Sequence, residues 1–136
     1  MKKTQEQIHK NMQNVRNKDS VIEIKLRSLL WKKGYRYRKN VKSIYGHPDI
    51  AFIGKKIAIF CDSEFWHGYD WENRKNDFKT HREFWIPKIE RNMARDREVN
   101  AKLQSEGWIV LRFWGQEINQ DTEGCIAKIE EFLINE

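Results

Sequence analysis

Two acids on neighbouring strands of one tight hairpin constrain this chain more than any other feature. The stretch from Gly46 to Trp71 reads GHPDIAFIGKKIAIFCDSEFWHGYDW. Asp49 follows Pro48 and opens one apolar run, and Asp62 closes the next. Gly54, Lys55 and Lys56 lie between them as a turn. Period-two alternation puts Asp49, Ala51 and Ile53 on one face of the first strand and Ile50 and Phe52 on the other. In the second strand Ala58, Phe60 and Asp62 share a face, and Ile57, Ile59 and Cys61 the opposite one. Phe65, Trp66, His67, Tyr69 and Trp71 follow directly. Two carboxylates able to share a metal ion, a histidine beside them and a run of aromatics suit the cutting of a phosphodiester.

The bulk properties agree with a nucleic-acid partner. Lys and Arg outnumber Asp and Glu by 26 to 20, with six tryptophans among 136 residues, and the pI is near 9.3. That balance favours a ligand offering both phosphates and flat faces for stacking. The length predicts one domain, residues 1–136. The only cysteines, Cys61 and Cys125, form neither a CxxC pair nor a disulfide framework. No apolar run approaches the ~20 residues of a membrane span and no signal peptide is evident, so no membrane partner and a cytoplasmic, intracellular location are expected.

Along the chain, Ile8, Met12 and Val15 recur at helical spacing within residues 4–17, a short N-terminal helix or arm over residues 1–18. Ser20 and Glu23 form a capping box ahead of Ile22, Leu26, Leu29 and Leu30, and Gly34 ends that helix. Residues 35–41 alternate aromatic and basic side chains, as an edge strand does. Residues 63–80 read as irregular. Thr80 and Glu83 predict a capped turn through Trp85, and Pro87 predicts that the main helix begins only there and runs to Glu106. Trp108–Trp114 is a strand, and Ile126, Ile129, Phe132 and Leu133 mark a last helix. The resulting order, α-α-β-β-β-α-β-α, is an α/β fold with a central mixed sheet flanked by helices.

An Asp after Pro on one strand and an acid near the end of the next is the outline of the PD-(D/E)xK nuclease arrangement. Carboxylate oxygens suit Mg²⁺, a hard cation. The third position of that pattern, Glu64, is not Lys, so the base has to come from elsewhere, and His67 is the obvious candidate.

The longer pattern is more specific. His9-Lys10-Asn11-Met12, Ser20-Val21-Ile22-Glu23, Gly46-His47-Pro48-Asp49 and Ile59-Phe60 through Phe65-Trp66-His67 resemble the very short patch repair (Vsr) endonucleases. So do Glu83-Phe84-Trp85, Lys88-Ile89, Asn92, Arg95-Asp96 and Gly107-Trp108, in order over residues 9–118. The resemblance implies a restriction-endonuclease-like fold and Mg²⁺-dependent nicking of one DNA strand beside a T:G mismatch. It makes Asp49 a metal-binding Asp, Cys61 the donor of a backbone carbonyl to the metal, and His67 the catalytic base. Glu23 becomes a supporting acid, beside its capping role. Phe65, Trp66 and Trp85 become aromatics that wedge into DNA, although core packing explains such residues equally well. Met12 enters from the other groove, and Lys88, Asn92 and Asp96 contact the target.

Two departures from the family pattern stand out. A second histidine near the scissile phosphate is replaced by Asp62, an added carboxylate that is read as a second metal ligand. The positions of the family's zinc ligands carry Glu64, Tyr69 and Trp71, with Gln116 downstream, so no structural zinc is expected. The reading is therefore a Mg²⁺-dependent mismatch endonuclease acting on double-stranded DNA as a monomer, with mismatch-repair proteins as further partners. Its rivals are a restriction or phage-defence nuclease of the same fold without mismatch preference, and a non-catalytic binder of distorted DNA.

Overall fold

The computed structural model describes residues 20–77 and 80–134; Met12 and the expected N-terminal helix lie outside them. Helix α1 spans Val21–Lys32 and is capped by Ser20, whose hydroxyl accepts the Glu23 amide. Leu26 and Leu30 are fully buried beneath it. Four strands follow the order β1-β2-β3-β4: Arg38–Lys39, Ile50–Phe52, Ile57–Asp62 and Ile109–Trp114. The first three are antiparallel neighbours, and β4 joins β3 in parallel. The sheet is mixed, flanked by helices on both faces, and consistent with the restriction-endonuclease-like fold.

Strand alternation sorts the hairpin as its sequence predicts. Ile50, Phe52, Ile57 and Ile59 pack with Leu26, Leu30 and the C-terminal helix on one face. Ala51, Ala58 and Phe60 pack with Val99 and Leu103 on the other. Both faces are covered, so the paired strands are apolar throughout except at their ends, where the acids stand. Each apolar face fixes the register, because a slip of one residue would invert both.

Several segments depart from expectation. The strand foreseen over residues 35–41 shrinks to Arg38–Lys39. Tyr35 and Tyr37 still lean on the Phe52 ring edge-on, with centroids 6.5 and 6.3 Å away. Residues 63–80 are not irregular throughout. Ser63 caps a single turn, α2 (Glu64–His67), and α3 (Trp71–Arg74) runs into a 3₁₀ turn at Lys75–Asp77. Pro87 does not delay the main helix, since α4 is continuous from Arg82 to Ser105. The capped turn foreseen from Thr80 is absent, and His81, at φ 57°, occupies the N-cap without a side-chain hydrogen bond. Pro87 removes one backbone bond, to the Glu83 carbonyl, near the helix start. Burial of Trp85 and Ile89 on either side of it offsets that loss. A further short helix, α5 (Gly115–Gln120), precedes α6 (Thr122–Ile134).

Two glycines bring α4 close to the hairpin. Gly46, at φ 82°, precedes the Pro-Asp pair, and a Cβ there would lie 2.4 Å from Val99. Gly68, at φ 71°, ends α2 where a Cβ would lie 2.3 Å from the sulfur of Met93. Larger residues at these positions would push α4 away from the strand ends.

Candidate active site

The strand ends, the start of α1, the turn α2 and the middle of α4 converge on one cleft of about 240 Å³. Its walls include Glu23, Asp49, Cys61, Asp62, His67, Asn92, Asp96 and Arg112. Sequence reasoning had singled out all of these except Arg112.

Asp49 is held from three directions. Its amide donates to the Ile59 carbonyl at 3.0 Å, and its carbonyl accepts the Asn40 amide at 2.9 Å. One carboxylate oxygen accepts the Cys61 amide at 2.7 Å. The carboxyl is pushed up to about 7, chiefly by burial and then by the charge of Glu23, with Asp62 adding to it and the Cys61 amide opposing. Glu23 is itself buried, and its carboxylate accepts the Ser20 hydroxyl at 3.2 Å. The same side chain thus serves the helix start and faces the cleft, so its two expected roles do not exclude one another.

Asp62 is buried and engaged. Arg112 Nη1 donates to its two oxygens at 3.1 and 3.2 Å, and His67 Nε2 lies 3.7 Å from Oδ1. Burial pushes the Asp62 carboxyl up, while His67 and Arg112 pull against that. The Nδ1 of His67 is hydrogen-bonded to Asp96 Oδ2 at 2.5 Å, and Asp96 Oδ1 lies 3.5 Å from Arg112 Nη1. Burial disfavours charge on the imidazole. The Asp96 hydrogen bond and the charges of Asp62 and Asp96 outweigh that and raise its pKa. His67, Asp96, Arg112 and Asp62 therefore form a closed ring of polar contacts. Arg112 is fixed further by donating Nε to Asn100 at 2.7 Å and by lying 4.1 Å over the Phe60 ring.

Asp96, expected at the DNA, lines the cleft and orients His67. Arg112 was missed because a lone Arg in an apolar strand has no spacing signal. Its only sequence cue is that it alternates with inward residues on β4. Among the described residues, Asp62, His67 and Asp96 also form a group able to hold a metal ion, but Arg112 already partners both carboxylates there.

The aromatic residues form one cluster beside the cleft. Phe65 meets Trp66 and Trp85 edge-on at 5.4 and 6.1 Å, and the two indoles meet at 6.3 Å. Trp66 and Trp85 are each only 3% exposed, Phe65 is half-buried, and Phe84 stands out at 47%. Phe84 packs on Trp85 with centroids 4.5 Å apart. Lys88 Nζ sits 5.2 to 5.9 Å from the Trp66, Phe84 and Trp85 rings. Asn92 lines the cleft, and its amide donates to the Trp66 carbonyl at 3.2 Å.

The segment after α2 is tied down by its own side chains. Glu64 accepts the Gln116 amide at 2.7 Å, Tyr69 meets the Trp114 ring at 5.1 Å, and Trp71 donates to Glu90 at 2.9 Å. No helix among the described residues is long and apolar enough to cross a membrane.

Comparison with known proteins bears on what such a cleft does. The family model for the DNA mismatch endonuclease Vsr matches residues 2–73. The type II nicking enzyme V.NmeDIP of Neisseria meningitidis serogroup C is 49% identical, over 94% of this chain and 86% of its own length. The type II nicking enzyme V.HpaIIP of Haemophilus parainfluenzae is 48% identical, over 97% of this chain and 94% of its own. The DNA mismatch endonuclease Vsr of Escherichia coli K12 is 35% identical, over 93% and 83%. With an acidic cleft at the hairpin end, an oriented histidine and relatives named for cutting DNA along nearly its whole length, the chain belongs to the Vsr family of DNA endonucleases.

Proposed function

We propose that the protein nicks one strand of double-stranded DNA at or beside a T:G mismatch, using Mg²⁺. The observation that carries the chemistry is the convergence of Asp49, Glu23 and the Asp96-oriented His67 on one cleft. The donor set fits a hard divalent cation, being carboxylate and carbonyl oxygen. Asp49 and the Cys61 carbonyl would hold the ion, and Glu23 adds charge that a cation would relieve. When bound, Mg²⁺ lowers the pKa of a coordinated water and offsets charge building on phosphorus. Asp62 is the less available ligand, because Arg112 takes both its oxygens. Its nearer role is to face the imidazole.

His67 moves the proton. Asp96 fixes the ring through Nδ1, which leaves Nε2 to accept a proton from the attacking water. The developing imidazolium is then stabilised by the carboxylates on either side. The aromatic cluster supplies the preference for a mismatch. Phe84 and Phe65 form its accessible rim, and Trp66 and Trp85 reach DNA only by leaving their packed positions. Unstacking is cheaper at a weakly paired T:G than in perfect duplex. The family resemblance and the E. coli relative named as a mismatch endonuclease support this specificity.

A second reading is nicking without mismatch preference, favoured by the relatives named only as type II nicking enzymes. Rates of nicking on T:G and fully paired duplexes of one sequence separate the two. Equal rates would refute the first.

In either case we propose that the enzyme works without zinc. Purified protein should contain no stoichiometric zinc by elemental analysis, and a zinc-selective chelator should leave its melting temperature unchanged. One tightly bound equivalent would refute the zinc-free reading of residues 64–71.

A further inference from the structure

Beyond the cleft, a second concave surface runs between the outer face of α1 and the edge strand β1. It encloses about 510 Å³ and is lined by Arg27, Ser28, Trp31, Lys32, Tyr37 and Lys39. Three of the six are cations and none is acidic. Lys32 and Lys39 are exposed, and neither pairs with a carboxylate among the described residues. Side-chain contacts tie the walls together. Tyr37 donates its hydroxyl to the Arg27 carbonyl at 2.9 Å, which joins the residue just before β1 to α1. The Arg36 guanidinium lies 3.6 Å over one face of Trp31, which remains 52% exposed.

The groove and the candidate active site lie along the same helix, α1. Glu23, Arg27 and Trp31 follow one another at four-residue steps on α1, so they form one stripe from cleft to groove. On the other wall, Lys39 pairs with Ile50 in the ladder, and the next residue, Asn40, donates its amide to the Asp49 carbonyl at 2.9 Å. Eight helical residues span ~12 Å, which at ~3.4 Å of duplex axis per nucleotide is about three to four nucleotides.

We propose that this groove holds the phosphate backbone of the duplex flanking the nick, about three to four nucleotides from the cut strand position, with Lys32 and Lys39 as the phosphate contacts. The proposal rests on the endonuclease reading above and adds where the rest of the substrate lies. Charge complementarity identifies the occupant, since Lys32 and Lys39 carry positive charge that no acid pairs with among the described residues.

The test is binding of a T:G duplex with long flanks by fluorescence anisotropy over a range of salt, comparing wild type with K32A/K39A. Losing two phosphate contacts should lower the slope of log K against log salt by about 1.8, weakening binding several-fold at moderate salt. Lys39→Glu should weaken binding further. Melting temperatures should match wild type, as expected for exposed lysines. A duplex cut back close to the nick site on one side should bind wild type more weakly and erase the difference between the proteins. Wild-type affinity and slope for K32A/K39A on the long duplex, from a protein that nicks normally, would overturn the groove alone. Failure of the wild type to nick any duplex with Mg²⁺ would instead overturn the endonuclease reading beneath it.

Discussion

His67 Nδ1 stands 2.5 Å from Asp96 Oδ2, so the single-turn helix α2 is tied to the middle of α4 through the imidazole itself. The two residues lie 29 positions apart and meet because Gly68 lets α2 end against Met93. The contact leaves Nε2 as the nitrogen that faces Asp62 and the cleft.

Loss of the base should therefore be separable from loss of its orientation. His67→Ala should slow single-turnover nicking by roughly 10²-fold or more. Asp96→Asn should cost less and keep DNA binding. Because the His67 pKa is raised above its ordinary value of ~6.5, the free-base form, and hence the rate, should grow as pH rises through a midpoint above that value. An unchanged rate for His67→Ala would return the residue to a structural role.

Asp49 should answer to both metal and pH. Asp49→Asn should abolish Mg²⁺-dependent nicking and leave DNA binding largely intact, since the amide still accepts the Cys61 amide hydrogen but is a poor Mg²⁺ ligand. The wild-type carboxyl is raised from its ordinary value to about 7. The folded state thus holds that proton more tightly than the unfolded chain. Metal-free wild type should lose stability as pH climbs from ~4 towards ~7 and level off above. Asp49→Asn escapes that loss and should be more stable at pH 8 by about 1–3 kcal/mol, with the advantage gone at pH 4. Denaturant unfolding at the two pH values checks it.

Arg112 joins the two carboxylates that flank His67, and breaking a buried pair leaves charges uncompensated. Arg112→Ala should destabilise the protein by about 3–5 kcal/mol and impair nicking. Arg112→Lys should recover part of both, since it restores the charge without the two-sided hydrogen bonding. A stable, fully active Arg112→Ala would show that the ring of contacts is dispensable.

The aromatic cluster should divide by exposure. Trp66→Ala or Trp85→Ala should cost about 3–5 kcal/mol, as expected for a buried indole. Phe84→Ala, on the exposed rim, should barely change the melting temperature. It should reduce the preference for T:G over matched duplex by about 1–3 kcal/mol if the rim stacks on DNA. Unchanged discrimination would remove Phe84 from recognition.

Much of this molecule is legible in the order of its residues, because the signals are local. Alternation in the runs beginning at Ile50 and Ile57 determines which side chains enter which core. Ser20 with Glu23 determines where α1 begins, and Pro48-Asp49 before a hairpin determines that an acid stands at a strand end. Pro87 misleads because its local cost is one hydrogen bond, while the burial of Trp85 and Ile89 that outweighs it depends on partners far along the chain. The ring of His67, Asp96, Arg112 and Asp62 is likewise a product of tertiary structure. Asp96 lies on a helix and Arg112 on a strand, and only the parallel pairing of β4 with β3 sets Arg112 beside the Asp62 end of the hairpin. Sequence thus determined which chemical groups the strand ends carry. Tertiary structure decided which of them meet, because a buried charge settles where a partner from another element can compensate it.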